Sequence, residues 1–426
     1  MNALIIFVLL FALMLTGMPI SISLGLTVLT FLFTMTNVPI ESVALKLFTG
    51  IENFEIMAIP FFLLAGTFLT HGGVAKRMIK FATTLVGHWH GGIGLAGVIG
   101  CALFASVCGS SVATVAAIGS VVLPEMVKQG FPKKFGAGVI ATSGALGILM
   151  LPSVIKVIYA VSTNTSIGAL FIAGLIPGII LTGMLCLTTW NIARKNSYPR
   201  LPKASWRERW DAFRDSAWGL FLVVIVIGGI FSGIFTATEA AAMSAVYAFL
   251  VSIFVYKDMT IKNVPKVLLD SAAMSAMLLY IITNATLFSF LMTSENVPQA
   301  LTEIILHMGL GKVGFLLVVN LLLLLAGNVM EASSIILIMA PILFPVAVKL
   351  GINPIHFGIM MIVNMEVGMC HPPVGLNLYV ASSITKMGIT ELTKAVMPWL
   401  LTMIIFLILI TYAPQMTMFL PNLVYK

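Results

Sequence analysis

Long apolar runs, each about 17–25 residues and parted by short polar links, set the pattern of this chain almost from end to end. Runs of that length match the hydrocarbon thickness of a bilayer when wound as helices. Residues 2–16 and 19–36 form two runs hinged at Gly17-Met18-Pro19, and a polar connection follows over 37–53. A third span covers 54–70. Residues 74–86, with Lys76, Arg77 and Lys80 on one side, predict an amphipathic helix lying along the interface. Next come two apolar arms over 94–129 that meet at Gly109-Ser110-Ser111, a helix over 135–162 broken by Gly144, Gly147 and Pro152, and a span over 167–193. After a polar stretch the plan returns: spans at 218–235, 239–256 and 268–292, an amphipathic piece at 297–308, and two arms over 313–349. A helix over 357–386, interrupted at 368–373, and a last span over 392–412 complete it.

The return is register-true. Shifted by 221 residues, Pro124 falls on Pro345, Lys128 on Lys349, Gly130 on Gly351 and Gly147 on Gly368. Pro152 likewise falls on Pro373, Ala160 on Ala381, Ser162 on Ser383 and Pro177 on Pro398. Backbone punctuation repeating at one offset marks an internal duplication. The predicted units are a first repeat over 1–196, a basic linker over 197–213 and a second repeat over 214–426. The spans at 2–70, 167–193, 218–292 and 392–412 are read as scaffold around the hairpins.

Composition then fixes the solvent. Hydrophobic residues make up 60% of the 426 and charged residues 9%, with a mean hydropathy of +1.09, far below the charge of a water-soluble domain. Period-2 alternation is missing, so the fold class is all-α and polytopic, not an outer-membrane barrel. The run at 2–16 lacks a basic lead-in and reads as a span, not a cleaved signal. Cys101, Cys108, Cys186 and Cys370 sit in apolar runs without metal-ligand spacing and read as small core residues.

Charge gives orientation. Seven basic residues against three acidic ones between Arg194 and Asp215 place that segment in the cytoplasm. If the arms re-enter without crossing, each half has five full spans and the two copies are antiparallel. Lys76, Arg77, Lys80, Lys128, Lys133 and Lys134 surround the first hairpin, whereas Glu295, Glu303, Lys312 and Lys349 surround the second. The first hairpin therefore enters from the cytoplasm and the second from outside. The net charge of +8 belongs to this topology and gives no reason to expect a nucleic-acid partner.

Two hairpin tips and two helix breaks at mid-bilayer would leave main-chain groups without partners, at several kcal/mol each in hydrocarbon. A ligand that fills them accounts for their presence. Helix N-termini suit an anion, and carbonyls with hydroxyls suit a hard cation. The first cluster is Ser106, Gly109, Ser110 and Thr114 with Gly147 and Pro152; it lacks an acidic side chain, which favours Na+ over a proton. The second is Gly327, Asn328, Glu331, Ser333 and Ser334 with Gly368 and Pro373, and Glu366 lies nearby, leaving proton coupling open there. Ser110, Ser111, Lys156, Thr163, His371 and Asn377 are the candidate substrate contacts, with Lys156 as a partner for a carboxylate. Close helix packing is the plainer use of small residues like these, and snorkelling or a scaffold ion pair the plainer use of Lys156.

An intramembrane enzyme lacks support: Asp211, Asp215, Asp258 and Asp270 all lie in or near loops, and neither HExxH nor GxSxG occurs. A channel tolerates re-entrant hairpins, but its flux would not saturate or need a binding protein.

The stretches GSSVATVAAIGSVVLPEM, LPSVIKVIYAVSTNTSIGALFIAGLIPGIIL, NVMEASSIILIMAPILFPV and HPPVGLNLYV resemble, in order and over nearly the whole chain, the large membrane subunit of tripartite ATP-independent periplasmic (TRAP) transporters. The resemblance implies a secondary transporter of the bacterial inner membrane driven by two or more Na+ ions. It also implies a small four-span membrane subunit, a periplasmic substrate-binding protein, an organic-acid substrate, and elevator motion of a hairpin-bearing domain against a scaffold. Leu151, Lys156 and His371 depart from the commoner dicarboxylate pattern, so the nearest branch is expected to be the sialic-acid one. A C4-dicarboxylate permease and a stand-alone divalent-anion/Na+ symporter are the alternatives.

Overall fold

The computed structural model describes residues 2–36, 38–328, 330–372 and 375–425, and among them every regular element is helical. Among the described residues, eight helices are long and apolar enough to cross a membrane. The first half contains α1 (Asn2–Leu15), α2 (Ile20–Met35), α3 (Ile40–Thr49), α4 (Ala58–His71) and α5 (Val74–Val86). The first hairpin follows as α6 (Gly92–Cys108) and α7 (Ser111–Lys128), then α8 (Lys133–Ser143), α9 (Leu146–Leu149), α10 (Val154–Thr163), α11 (Ile167–Ala173) and α12 (Leu175–Lys195). The second half contains α13 (Trp206–Phe231), α14 (Ala237–Leu250), α15 (Val264–Ser294) and α16 (Val297–His307). It closes with the hairpin α17 (Lys312–Gly327) and α18 (Ala332–Lys349), then α19 (Pro354–Cys370), α20 (Leu376–Thr385), α21 (Ile389–Tyr412) and α22 (Gln415–Val424).

The duplication is visible in the helices. Shifted by 221 residues, α7 coincides with α18 end for end, and α10 falls one residue from α20. Packing repeats as well: α4 lies along α14, and the equivalent pair, α2 and α15, lies together likewise. These helices, with α13 on α5, make an outer layer. Gly72 lets Ser252 of the segment after α14 approach, and the Ser252 hydroxyl donates to the Phe68 carbonyl at 3.0 Å. Each hairpin's second arm crosses to the other repeat, α7 onto α20 and α18 onto α10. The inner unit is therefore interleaved, and neither half folds it alone.

Several predicted boundaries change. Helix α12 runs to Lys195 and α13 begins at Trp206, so the predicted linker over 197–213 is non-helical only to Ser205, and its second part is already the first two turns of α13. Its start is a capping box: Ser205 Oγ accepts from the Glu208 N–H, and the Glu208 carboxylate accepts from the Ser205 N–H. Charge in that stretch marks a membrane-surface turn, with Trp206 and Trp210 exposed beside it. The connection over 37–53 contains α3, and α22 follows the span that was to close the chain. The 167–193 and 392–412 spans were grouped with the scaffold; in the structure α12 packs chiefly on α6 and α21, and α21 chiefly on α8, α12 and α19. They belong to the hairpin-bearing unit. Residues 2–36 are two helices packed on each other, parted at Gly17, whose φ of 86° turns the chain. The amphipathic α5 buries Val74, Met78 and Ile79 and keeps Lys76 and Lys80 outward, as its pattern predicts.

Candidate functional site

Both hairpins end at a helix break. Helix α8–α9 and helix α10 bend by 41° across residues 150–153, near the middle of the segment, and the first tip lies on that bend. Gly109, in the left-handed region at φ 67°, turns the chain there. A Cβ on Gly109 would lie 2.6 Å from the Pro152 carbonyl oxygen, and one on Gly147 would lie 2.5 Å from the Ser110 carbonyl. Only glycine fits at either position. In the second repeat the contact recurs: Gly327 and Gly368 face each other, a Cβ on either falling 3.0 Å from the other's Cα. So tip and break meet in both repeats. Pro373, a predicted member of the second break, lies outside the described residues.

Between the tips is a cavity of about 200 Å³. One wall carries Gly109, Ser110 and Ser111 from the first tip and Glu331, Ala332 and Ser333 from the second; the other is apolar, with Leu63 of α4 and Met274, Met277 and Leu278 of α15. The first residues of α7, α10 and α18 all line it. Three helix N-termini thus border one space, where their partial positive charge favours an anion. Ser106 Oγ spends its proton on the Leu103 carbonyl at 2.7 Å and Thr114 Oγ1 on the Ser110 carbonyl at 2.7 Å, so each keeps its oxygen lone pairs free to coordinate. In the second cluster the Ser333 hydroxyl donates to the Glu331 carboxylate. Ser333 and Ser334 are buried at the start of α18.

The predicted substrate contacts separate into groups. Ser110 and Ser111 line the cavity. Asn377 stands behind it: its amide donates to Ser111 Oγ at 2.8 Å and to the Ala141 carbonyl at 3.2 Å, locking the first tip to the post-break helix of the other repeat. His371 Nδ1 meets Asn328 Oδ1 at 2.7 Å, joining the second break to the second tip. Thr163 is at the far end of α10, where its hydroxyl lies 2.7 Å from the Tyr159 carbonyl and 2.8 Å from Thr165 Oγ1. Lys156 is fully buried and turned away from the cavity, its ammonium donating to the Leu149 carbonyl at 2.6 Å. Sequence reasoning missed Leu63, Met274 and Met277, because an apolar wall residue has the same pattern as a lipid-facing one.

The profile of the family described as "Tripartite ATP-independent periplasmic transporter, DctM component" matches residues 7–416. The large permease protein DctM of a C4-dicarboxylate TRAP transporter from Rhodobacter capsulatus is 72% identical to this chain, with 99% of each covered. Its counterpart from Pseudomonas aeruginosa is 49% identical over 94% of each chain. A sialic acid TRAP large permease, SiaM of Vibrio cholerae, is 37% identical over 96% of each. Among solved structures, the YdaH transporter of Alcanivorax borkumensis superposes with a TM-score of 0.63 over 91% of this chain and 88% of that one, at 16% identity. That likeness extends to the fold.

Proposed function

The chain belongs to the DctM component family of TRAP transporters, as a multi-pass large permease of the inner membrane, and on that premise we propose that it carries C4-dicarboxylates inward, coupled to Na+. This replaces the sialic-acid expectation. The relatives at 72% and 49% identity are named for C4-dicarboxylates, against 37% for the sialic-acid one. The departures that pointed to the sialic-acid branch lie away from the cavity wall: Leu151 and Lys156 are buried at the break, and His371 is paired with Asn328.

One observation carries the reading. Helix N-termini from opposite repeats, α7 and α18, converge on the same cavity. A dianion with a carboxylate at each end satisfies both, where a monocarboxylate leaves one unpaired. Na+ at the two tip-and-break clusters would offset the Glu331 charge and the dianion together. The packing of α12 and α21 on the hairpin and break helices, with α4 and α15 across the cavity, supports movement of the site as a unit in an elevator stroke. Each hairpin end would meet the apolar scaffold wall in turn. A small membrane subunit and a periplasmic binding protein complete the system.

Proteoliposomes with the permease, its small subunit and the binding protein test this by uptake of radiolabelled succinate against sialic acid. Succinate accumulation that requires an inward Na+ gradient and the binding protein is expected. Sialic acid uptake without succinate uptake would overturn the substrate, and uptake by the permease alone would overturn the partners.

A further inference from the structure

We propose that Lys156 is a built-in cation of the first helix break, with Glu366 of the other repeat as its counter-charge. The pair would set the break in the shape that the Ser110 tip requires. This rests on the transport reading and adds a positioning device to it.

Lys156 is fully buried, on the second residue pair of α10, while its neighbours Val154 and Ile155 line the cavity. Its ammonium donates to the carbonyl of Leu149, the last residue of α9, at 2.6 Å. That carbonyl is one that the break strips of a helical partner, at the negative end of a half-helix. Gly174, between α11 and α12, makes room: a Cβ there would collide with the Lys156 Nζ and lie 2.8 Å from the Leu149 oxygen. So three segments of the first repeat converge on one buried ammonium, which still has two protons to give.

Glu366 supplies the opposite charge. It sits in α19, which packs on α9, α10 and α11, and is fully buried, with neither carboxylate oxygen hydrogen-bonded among the described residues. It lies outside the 4.0 Å reach of an ion pair with Lys156, and it is the packing of α19 on α9 and α10, the helices on either side of the break, that brings the two buried groups into one region. The other titratable group near Glu366 is the buried thiol of Cys370 on its own helix, which donates to the Ala141 carbonyl at 3.2 Å. A lone buried ammonium or a lone buried carboxylate is costly, and together they offset each other through the weakly screening interior. The consequence is functional as well as structural. Leu149 is two residues from Gly147, on which the Ser110 carbonyl rests, so the pair controls the break that shapes the first cation cluster.

The test is a charge-removal cycle in the complete three-part system: Lys156→Met, Glu366→Gln and the double variant, each measured for thermal midpoint and for succinate uptake against Na+ concentration. Each single variant is expected to lose about tenfold or more in uptake, because one charge is left buried alone, and the double variant to recover to within about threefold of wild type. Wild-type and double-variant protein should differ in the Na+ concentration for half-maximal uptake, a readout that mere folding support would leave unmoved. If the singles fail to insert, a monodisperse and active double variant still supports the pair. A double variant no better than the worse single, or a Lys156→Met variant with wild-type uptake and Na+ dependence, overturns it. Should wild-type uptake prove indifferent to Na+, the transport reading fails on its own, and the pattern of thermal midpoints still decides the pair.

Discussion

Ser111 Oγ and the Asn377 amide lie 2.8 Å apart although 266 residues separate them in the chain. The contact joins the first tip, at the start of α7, to α20 of the other repeat. It is the polar counterpart of the interleaving by which each hairpin's second arm packs on the opposite post-break helix.

Asn377→Leu leaves Ser111 without its buried partner and removes one of the two side-chain donors to the Ala141 carbonyl, the other being the Cys370 thiol. A destabilisation of about 1–3 kcal/mol is expected, read as a lower thermal midpoint in detergent, together with weaker substrate uptake. An unchanged midpoint would show that the bond holds nothing.

Gly147→Ala places a Cβ 2.5 Å from the Ser110 carbonyl, so tip and break must part. Uptake should be lost while the protein still inserts in the membrane. Gly183→Ala is the control: a helical glycine with nothing within 4 Å of the added carbon, where an alanine gains roughly 0.5–1 kcal/mol of helix stability. Equal uptake by both variants would refute the seating of the tip.

Ser110→Ala and Ser334→Ala each remove one hydroxyl from a proposed cation cluster. Each should raise the Na+ concentration for half-maximal uptake, with maximal uptake less affected. Identical Na+ curves for both variants and wild type would remove these hydroxyls from the sites.

Tyr256 tests the outer layer separately. Its hydroxyl donates to the Asp215 carbonyl at 2.8 Å and accepts from the Gly219 N–H at 3.0 Å, and the Arg77 guanidinium stacks 3.9 Å from its ring centre. Tyr256→Phe should cost about 1–2 kcal/mol and lower the thermal midpoint, while Na+ dependence per folded molecule stays that of wild type. A shifted Na+ dependence would tie this corner to the site.

The repeat made the inner unit legible in the sequence. Gly147 and Gly368 share one register, and each proves to be the break residue on which a tip rests. Spacing of that kind survives in sequence because only glycine fits the approach. Which spans pack with the hairpins was not legible, since the middles of α12 and α21 are apolar and hydropathy cannot tell a neighbouring helix from lipid. The direction of Lys156 was equally hidden: it directly follows the cavity-lining Ile155, and the helical turn from one residue to the next takes its side chain out of the cavity. Short helices such as α3 and α22 escaped because their mixed composition matches a loop as well as a membrane-surface helix.

The measurement closest to the central claim is the thermal midpoint of the permease with its small subunit, titrated with NaCl against KCl at equal ionic strength. Ions that bind only the folded state raise the midpoint in a saturable way. A saturable rise with Na+ but not K+, steeper with succinate present and abolished by Gly147→Ala, is the predicted result. Superimposable Na+ and K+ curves in the wild type would contradict a Na+-filled pair of tips and breaks.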